Sequence, residues 1–193
     1  AKQLKEVTQD SKIFIRVPSS EAVEGILKSK RIMSGFETTA DGFNAAQRKS
    51  AESYGLGVAL ECNPKDRPIY GYLASTPVGA PGGGMYVETY GRIAIELKPE
   101  VRQRATFCVG DSMLPAIKKS LVCSPLNEPN ANAIWKLDQF KQLMNGVMTP
   151  DNPTYRHDFF EAQIFGGVNV SDIRAVHVRD PKTETNPTVK EDI

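Results

Sequence analysis

Asp158-Phe159-Phe160-Glu161-Ala162-Gln163-Ile164 alternates with a period of two, so Phe160, Ala162 and Ile164 fall on one face and Phe159, Glu161 and Gln163 on the other. This is the pattern of a strand with one buried face, and it carries two polar groups among aromatic neighbours rather than a charged stripe. Gly166-Gly167 turns the chain afterwards, Ile173 to Val178 reads as the last strand, and Pro181 onward is a polar tail rich in Lys, Glu and Thr. Working back toward the N-terminus, Ile134, Leu137, Phe140, Leu143 and Met144 recur at helical spacing and predict a helix within 130–145.

Earlier segments follow the same two periods. Lys12-Ile13-Phe14-Ile15-Arg16-Val17 alternates until Pro18 stops it, Ile69 to Ala74 opens after Arg67-Pro68, and Arg92 to Leu97 and Ala105 to Val109 complete the early strands. Ser19 or Ser20 caps a helix to about Lys30 whose buried face is Val23, Ile26 and Leu27, and a second helix covers Ala45 to Tyr54 before Gly55 and Gly57. The run Gly79-Ala80-Pro81-Gly82-Gly83-Gly84 holds no regular structure and predicts a loop. Strand, two helices, several strands, a helix and two strands describe an α+β domain with a mostly antiparallel sheet system over 12–179, between a polar linker at 1–11 and a tail at 180–193.

Composition narrows the function classes. The 24 Lys+Arg nearly balance the 23 Asp+Glu, so no global field draws the chain to nucleic acid or to an anionic membrane, although a local basic patch stays open. No apolar run approaches the roughly 20 residues of a membrane-spanning helix, and AKQLKEVTQD has no apolar signal-peptide core, so the chain reads as soluble with no membrane partner. Cys62, Cys108 and Cys123 are far apart and only His157 and His177 could supplement them, which predicts small buried thiols in a reducing compartment and no metal site.

GxSxG, GxxxxGK[ST], HExxH and a GxGxxG that opens a helix after a strand are all missing. What stands out is one charged residue inside each of two apolar strands, Arg16 and Glu161. A single charge in a half-buried strand ordinarily faces solvent. Here Arg16 shares its face with Phe14, and Glu161 with Phe159 and Gln163. A cleft between two sheets with one Arg, one Glu and aromatic walls suits an anionic ligand with an aromatic end: Arg grips a diphosphate through its fork, while Glu accepts from ribose hydroxyls and stabilises positive charge on a sugar carbon.

The chain resembles the ADP-ribosyltransferase domains of bacterial toxins and of phage minor head proteins. The resemblance lies in Ile13-Phe14-Ile15-Arg16, in Arg67-Pro68-Ile69-Tyr70-Gly71-Tyr72-Leu73 leading to Ser75-Thr76, in Tyr90-Gly91-Arg92-Ile93 through Arg104-Ala105-Thr106-Phe107 and Gly110-Asp111-Ser112, and in Phe160-Glu161-Ala162-Gln163-Ile164 with Gly166-Gly167. It spans about 12–179 in short, degenerate motifs. It implies an ADP-ribosyltransferase-like split antiparallel β-sheet sandwich with flanking helices, NAD as co-substrate and no metal. Arg16 would contact the NAD phosphates or nicotinamide ribose, Ser75 and Thr76 would brace the site, and Glu161 would be the catalytic carboxylate. Thr106 with Asp111-Ser112 is an alternative middle motif, and a strand-end turn is the plain reading of Ser75-Thr76-Pro77.

The resemblance also implies an effector or toxin module, secreted or injected and acting in the target-cell cytoplasm, or else cytoplasmic or virion-associated, with a protein or nucleic-acid acceptor and a cognate immunity protein or antitoxin. Arginine-modifying members carry a second Glu two residues before the catalytic one, where this chain has Phe159, so guanidinium modification is not implied. Gln163 either contacts the acceptor or completes a hydrogen-bond network. An NAD glycohydrolase and a non-catalytic partner-binding module are the competing readings. Tyr54, Tyr70, Tyr72 and Tyr155 are candidates to stack on nicotinamide or on an acceptor, or to pack in the core, His157 is a loop histidine or a substrate contact, and Arg102 and Arg104 near Lys98 form either an acceptor-facing basic stretch or a solvated edge.

Overall fold

A computed structural model describes residues 10–38, 44–77, 90–109, 124–125 and 160–178. Nine strands occur among them: β1 (Lys12–Val17), β2 (Arg31–Ile32), β3 (Ile69–Ala74), β4 (Ile93–Leu97), β5 (Ala105–Val109), β6 (Ser124–Pro125), β7 (Phe160–Ile164), β8 (Val168–Asn169) and β9 (Ile173–Val178). Seven join one sheet in the order β6-β5-β7-β3-β1-β4-β9, with every pair antiparallel, and β2 pairs with β8 apart from it. The architecture is α+β.

Alternation builds the core. Ile13, Ile15 and Val17 of β1, Leu73 of β3, Ile93, Ile95 and Leu97 of β4, Phe107 of β5 and Phe160, Ala162 and Ile164 of β7 are buried in one cluster. Helix α1 (Ser20–Ser29) covers part of that face. Ser19 Oγ accepts from the Ala22 amide at its start, and Lys30, at φ 62, ends it in the left-handed region. Its buried stripe is Ile26 with partly buried Ala22 and Val23, while Leu27 is 50% exposed, because the stripe that meets the sheet runs back along the three- and four-residue spacing from Ile26. Leu27 therefore departs from its expected place.

Helix α2 (Gly35–Thr38) is a single turn, and α3 (Ala45–Leu56) begins at Asn44, whose side chain accepts from the Gln47 amide at 3.0 Å. Gly55 stays helical and Gly57, at φ 68, closes α3, two residues beyond the expected end. A 3-10 turn over Pro99–Arg104, preset by Pro99, leads into β5. The expected helix within 130–145, the glycine-rich run at 79–84, and Asp111, Ser112, Cys123, Tyr155, His157 and Phe159 lie outside the described residues.

β7 lies between β3 and β5, so among the described residues the strands bearing Arg16 and Glu161 belong to one continuous sheet. Between them lies only β3. Its Gly71 is obligatory for close packing, because a Cβ there would sit 2.5 Å from the Phe14 carbonyl oxygen.

Candidate functional site

The face opposite the core cluster carries Arg16, Tyr70, Tyr72, Thr106, Glu161 and Gln163, because each alternates with a core residue on its strand. Tyr72 is directly opposite Phe14 on one side and Glu161 on the other, and Tyr70 is opposite Gln163. Phe14 and Tyr72 stack with ring centroids 5.6 Å apart and form a small apolar patch with Ala74 and Ala94.

Arg16 is held by three acceptors. Its Nε donates to Tyr72 Oη at 2.9 Å, Nη2 to the Pro77 carbonyl at 2.7 Å and Nη1 to the Gly91 carbonyl at 3.3 Å. All three are neutral oxygens, so among the described residues no carboxylate cancels its charge. Gly91, at φ 139, is pressed against β1 so closely that a Cβ would lie 2.2 Å from the Val17 carbonyl oxygen. That approach brings the Gly91 carbonyl to Arg16.

Glu161 is 4% exposed, and its Oε1 accepts from Gln163 Nε2 at 2.8 Å. Gln163 is fully buried, and its Oε1 accepts from Thr106 Oγ1 at 2.9 Å. A Thr106–Gln163–Glu161 chain thus orients one carboxyl oxygen. Gln163 stands in a hydrogen-bond network beneath Glu161, away from solvent. Thr106 joins the site through it, and Ser75 and Thr76 are exposed at the end of β3. The neighbouring Pro77 contributes its carbonyl, as the acceptor shared by Arg16 and Tyr72.

Arg16, Arg48, Tyr70, Gly71, Tyr72, Tyr90 and Glu161 line one cavity of about 120 Å³. Arg16, Arg48 and Tyr70 also border an adjoining cavity of about 580 Å³, whose walls include Ile15, Ile26, Phe36 and Ile69. The first is too small for a whole organic cofactor, while the second lies within the ~300–1,000 Å³ typical of such sites. The smaller cavity, which holds both Arg16 and Glu161, opens on the sheet face opposite the core, whereas the larger one is walled by the core residues Ile15, Ile26 and Ile69 and by Arg31 and Ile32 of β2.

Arg48 is a site residue the sequence did not flag. Its guanidinium lies 4.2 Å from the Tyr70 ring centroid, a cation–π contact that presents charge at the junction of the two cavities. The available signal was the i, i+4 spacing of Arg48 and Glu52 on one helix face. Glu52 is buried and binds Arg67 Nη1 at 2.5 Å and the Tyr70 hydroxyl at 2.8 Å, while Arg67 also donates to the Leu60 carbonyl and stacks 4.4 Å from the Phe36 centroid. This buried pair docks α3 beside Tyr70. Burial raises the pKa of the Tyr70 hydroxyl above its usual value; Arg48 opposes the shift, and the Glu52 and Glu161 carboxylates add to it. Tyr70 thus stays a neutral donor.

The other candidates are placed elsewhere. Tyr54 is 68% exposed on α3. Arg102 donates to the Ser11 carbonyl at 2.8 Å, and Arg104 holds the Phe165 and Gly167 carbonyls and Asp172, so this stretch clamps the chain at turns. Cys62 is partly exposed with a free thiol, which differs from the expected burial because it sits in the turn before Pro64. Among the described residues no three His, Cys, Asp or Glu side chains are placed to hold a metal, and no helix is long and apolar enough to cross a membrane. No protein-family model matches the chain, and comparison with curated proteins gave no match.

Proposed function

We propose that the chain is an NAD-dependent mono-ADP-ribosyltransferase on an ADP-ribosyltransferase-like fold. The observation that carries the reading is that Arg16 and Glu161, from strands far apart in sequence, line the same small cavity with Tyr70 and Tyr72. Arg16, charged and held by neutral oxygens, suits the diphosphate of NAD, and Arg48 at the junction adds a second cation. The larger apolar-walled cavity has the size for the rest of a dinucleotide. Glu161 accepts a ribose hydroxyl and opposes the positive charge that grows on the ribose carbon as the bond to nicotinamide breaks. Burial strengthens that interaction, because less solvent screens it. An acceptor nucleophile then takes the ribosyl carbon.

An NAD glycohydrolase is the second reading, favoured by Phe159 where arginine-modifying members have an acceptor-side Glu. The effector role, the macromolecular acceptor and an immunity protein belong to the same proposal through the family resemblance. Incubation with labelled NAD and a whole-cell lysate tests it. Labelled macromolecule supports transfer, while nicotinamide release without label supports hydrolysis. Neither event, or full activity in Glu161→Ala, overturns both.

A further inference from the structure

At the opposite end of β1 from Arg16, roughly 13 Å along the strand, the sheet carries a second concavity that the proposed reaction does not use. The start of β1, the end of β4 and the start of β9 meet there around a cavity of about 210 Å³ lined by Lys12, Lys98, Arg102, Arg174 and Asp10 over an apolar floor that includes Leu97. Among the described residues four cations face one lining carboxylate, with Glu96 buried beside them.

Glu96 does not exhaust the donors. Lys12 Nζ and Arg174 Nη1 both approach the same oxygen, Oε1, at 3.2 and 3.3 Å, while His177 Nε2 lies 2.8 Å from Oε2. An ammonium has three N–H donors and a guanidinium five, so one shared oxygen leaves most of them for another acceptor. The side chains of Lys12 and Arg174 are 39% and 56% exposed, which keeps those donors accessible. The Lys98 ammonium has no hydrogen-bond or ion-pair partner among the described residues. Arg102 is held in the wall by the Ser11 carbonyl, and burial lowers its pKa, the response of a cation drawn out of water.

In a chain whose formal charge is only +1, this corner gathers four cations against Asp10 and Glu96 among the described residues. The volume is below the ~300 Å³ at which organic-ligand pockets begin. It suits a compact polyanionic group that takes donors from several directions. We infer that this pocket binds a phosphate group, either free inorganic phosphate or the terminal phosphate of a nucleotide, with Lys98, Lys12 and Arg174 as its contacts. A guanidinium fork binds carboxylate and phosphate alike, but a phosphate brings more acceptor oxygens and more charge to a guanidinium and two ammonium groups that converge on it.

The test follows backbone amide NMR shifts of the full chain at constant ionic strength, with inorganic phosphate, adenosine monophosphate and adenosine as separate probes. Saturable shifts over 11–13 and 97–98 with inorganic phosphate or the monophosphate, but not with adenosine, are expected. Inorganic phosphate alone sufficing marks the free ion as the source, and a response to the monophosphate alone marks the nucleotide. Lys98→Gln, which removes no internal contact, should weaken the affinity about tenfold, as loss of one charge-assisted bond does. Lys12→Gln serves as the second variant. Absence of saturable shifts with either phosphate, shifts confined to the Arg16 cavity, or unchanged affinity in both variants would overturn the inference.

Discussion

Arg16 and Tyr72 share one acceptor, the Pro77 carbonyl, at 2.7 and 3.0 Å, while Arg16 Nε also donates to the Tyr72 hydroxyl at 2.9 Å. Three groups from β1, β3 and the turn after β3 are thereby fixed as a triangle. Tyr72→Phe keeps the ring on Phe14 but deletes two of its sides. Loss of one or two such bonds costs about 1–3 kcal/mol, so the apparent KM for NAD should rise roughly tenfold with little change in the folded state. Steady-state nicotinamide release alongside a thermal melt checks this; unchanged KM in a folded variant contradicts it.

Charge, not shape, is what Glu161 contributes in the proposed reaction. Glu161→Gln should lower nicotinamide release by roughly 10²–10³-fold, as removal of one preorganised electrostatic group does, and Glu161→Ala should be no worse than a few-fold beyond that. A glutamine variant that retains most of the rate would refute the assignment.

Gln163 and Thr106 act on Glu161 at one and two hydrogen bonds' remove. Thr106→Val removes the donor to Gln163 and should reduce kcat about tenfold while leaving KM for NAD within a factor of two. Gln163→Glu should be more damaging, because it sets a second carboxylate beside the first. If both variants behave as wild type, the chain has no positioning role.

The Glu52–Arg67 pair is buried on both sides, so removing one partner strands the other. Arg67→Met should destabilise the fold by about 3–5 kcal/mol, and the double variant Glu52→Leu with Arg67→Met should recover part of that loss. Urea denaturation of the single and double variants measures the coupling.

Hydrogen bonding by Arg31 holds the Glu37 carboxyl down to about 2, against a burial cost that pulls the other way; the ordinary value is 4.5. A depressed folded-state pKa contributes stability that is fully present above 4.5 and disappears as pH falls toward 2. Glu37→Gln should therefore be less stable than wild type near neutrality and converge with it at the acid end. Denaturation midpoints across that window should show the gap closing; a constant gap would exclude the linkage.

Much of this arrangement was readable from residue types. β1, β3, β5 and β9 occupy the residues read as strands from the sequence, and in β1 the alternating Ile13, Ile15 and Val17 join the core. Arg16 and Glu161 were legible for the complementary reason: each breaks an apolar strand beside an aromatic neighbour. Arg31–Ile32 and Val168–Asn169 were not, since two residues are too short for any period to register. Arg48 stayed hidden because α3 is rich in Ala and polar side chains and shows no apolar face, and Arg67 because a buried charge looks like a surface charge until its partner, 15 positions earlier, is known. Gln163 could be placed on a face but not tied to Thr106, a contact that depends on strand order.

The insertion of β7 between β3 and β5 has a kinetic consequence. The pairing of Tyr72 with Glu161 closes a loop of nearly ninety residues, so the sheet has a high contact order and its central ladder is costly in chain entropy to form early. During synthesis, β1, β3 and β4 emerge and can pair well before Glu161 exists. Glu161 joins Arg16 in lining the small cavity only when β7 docks, and a nascent or truncated chain lacks that combination until then.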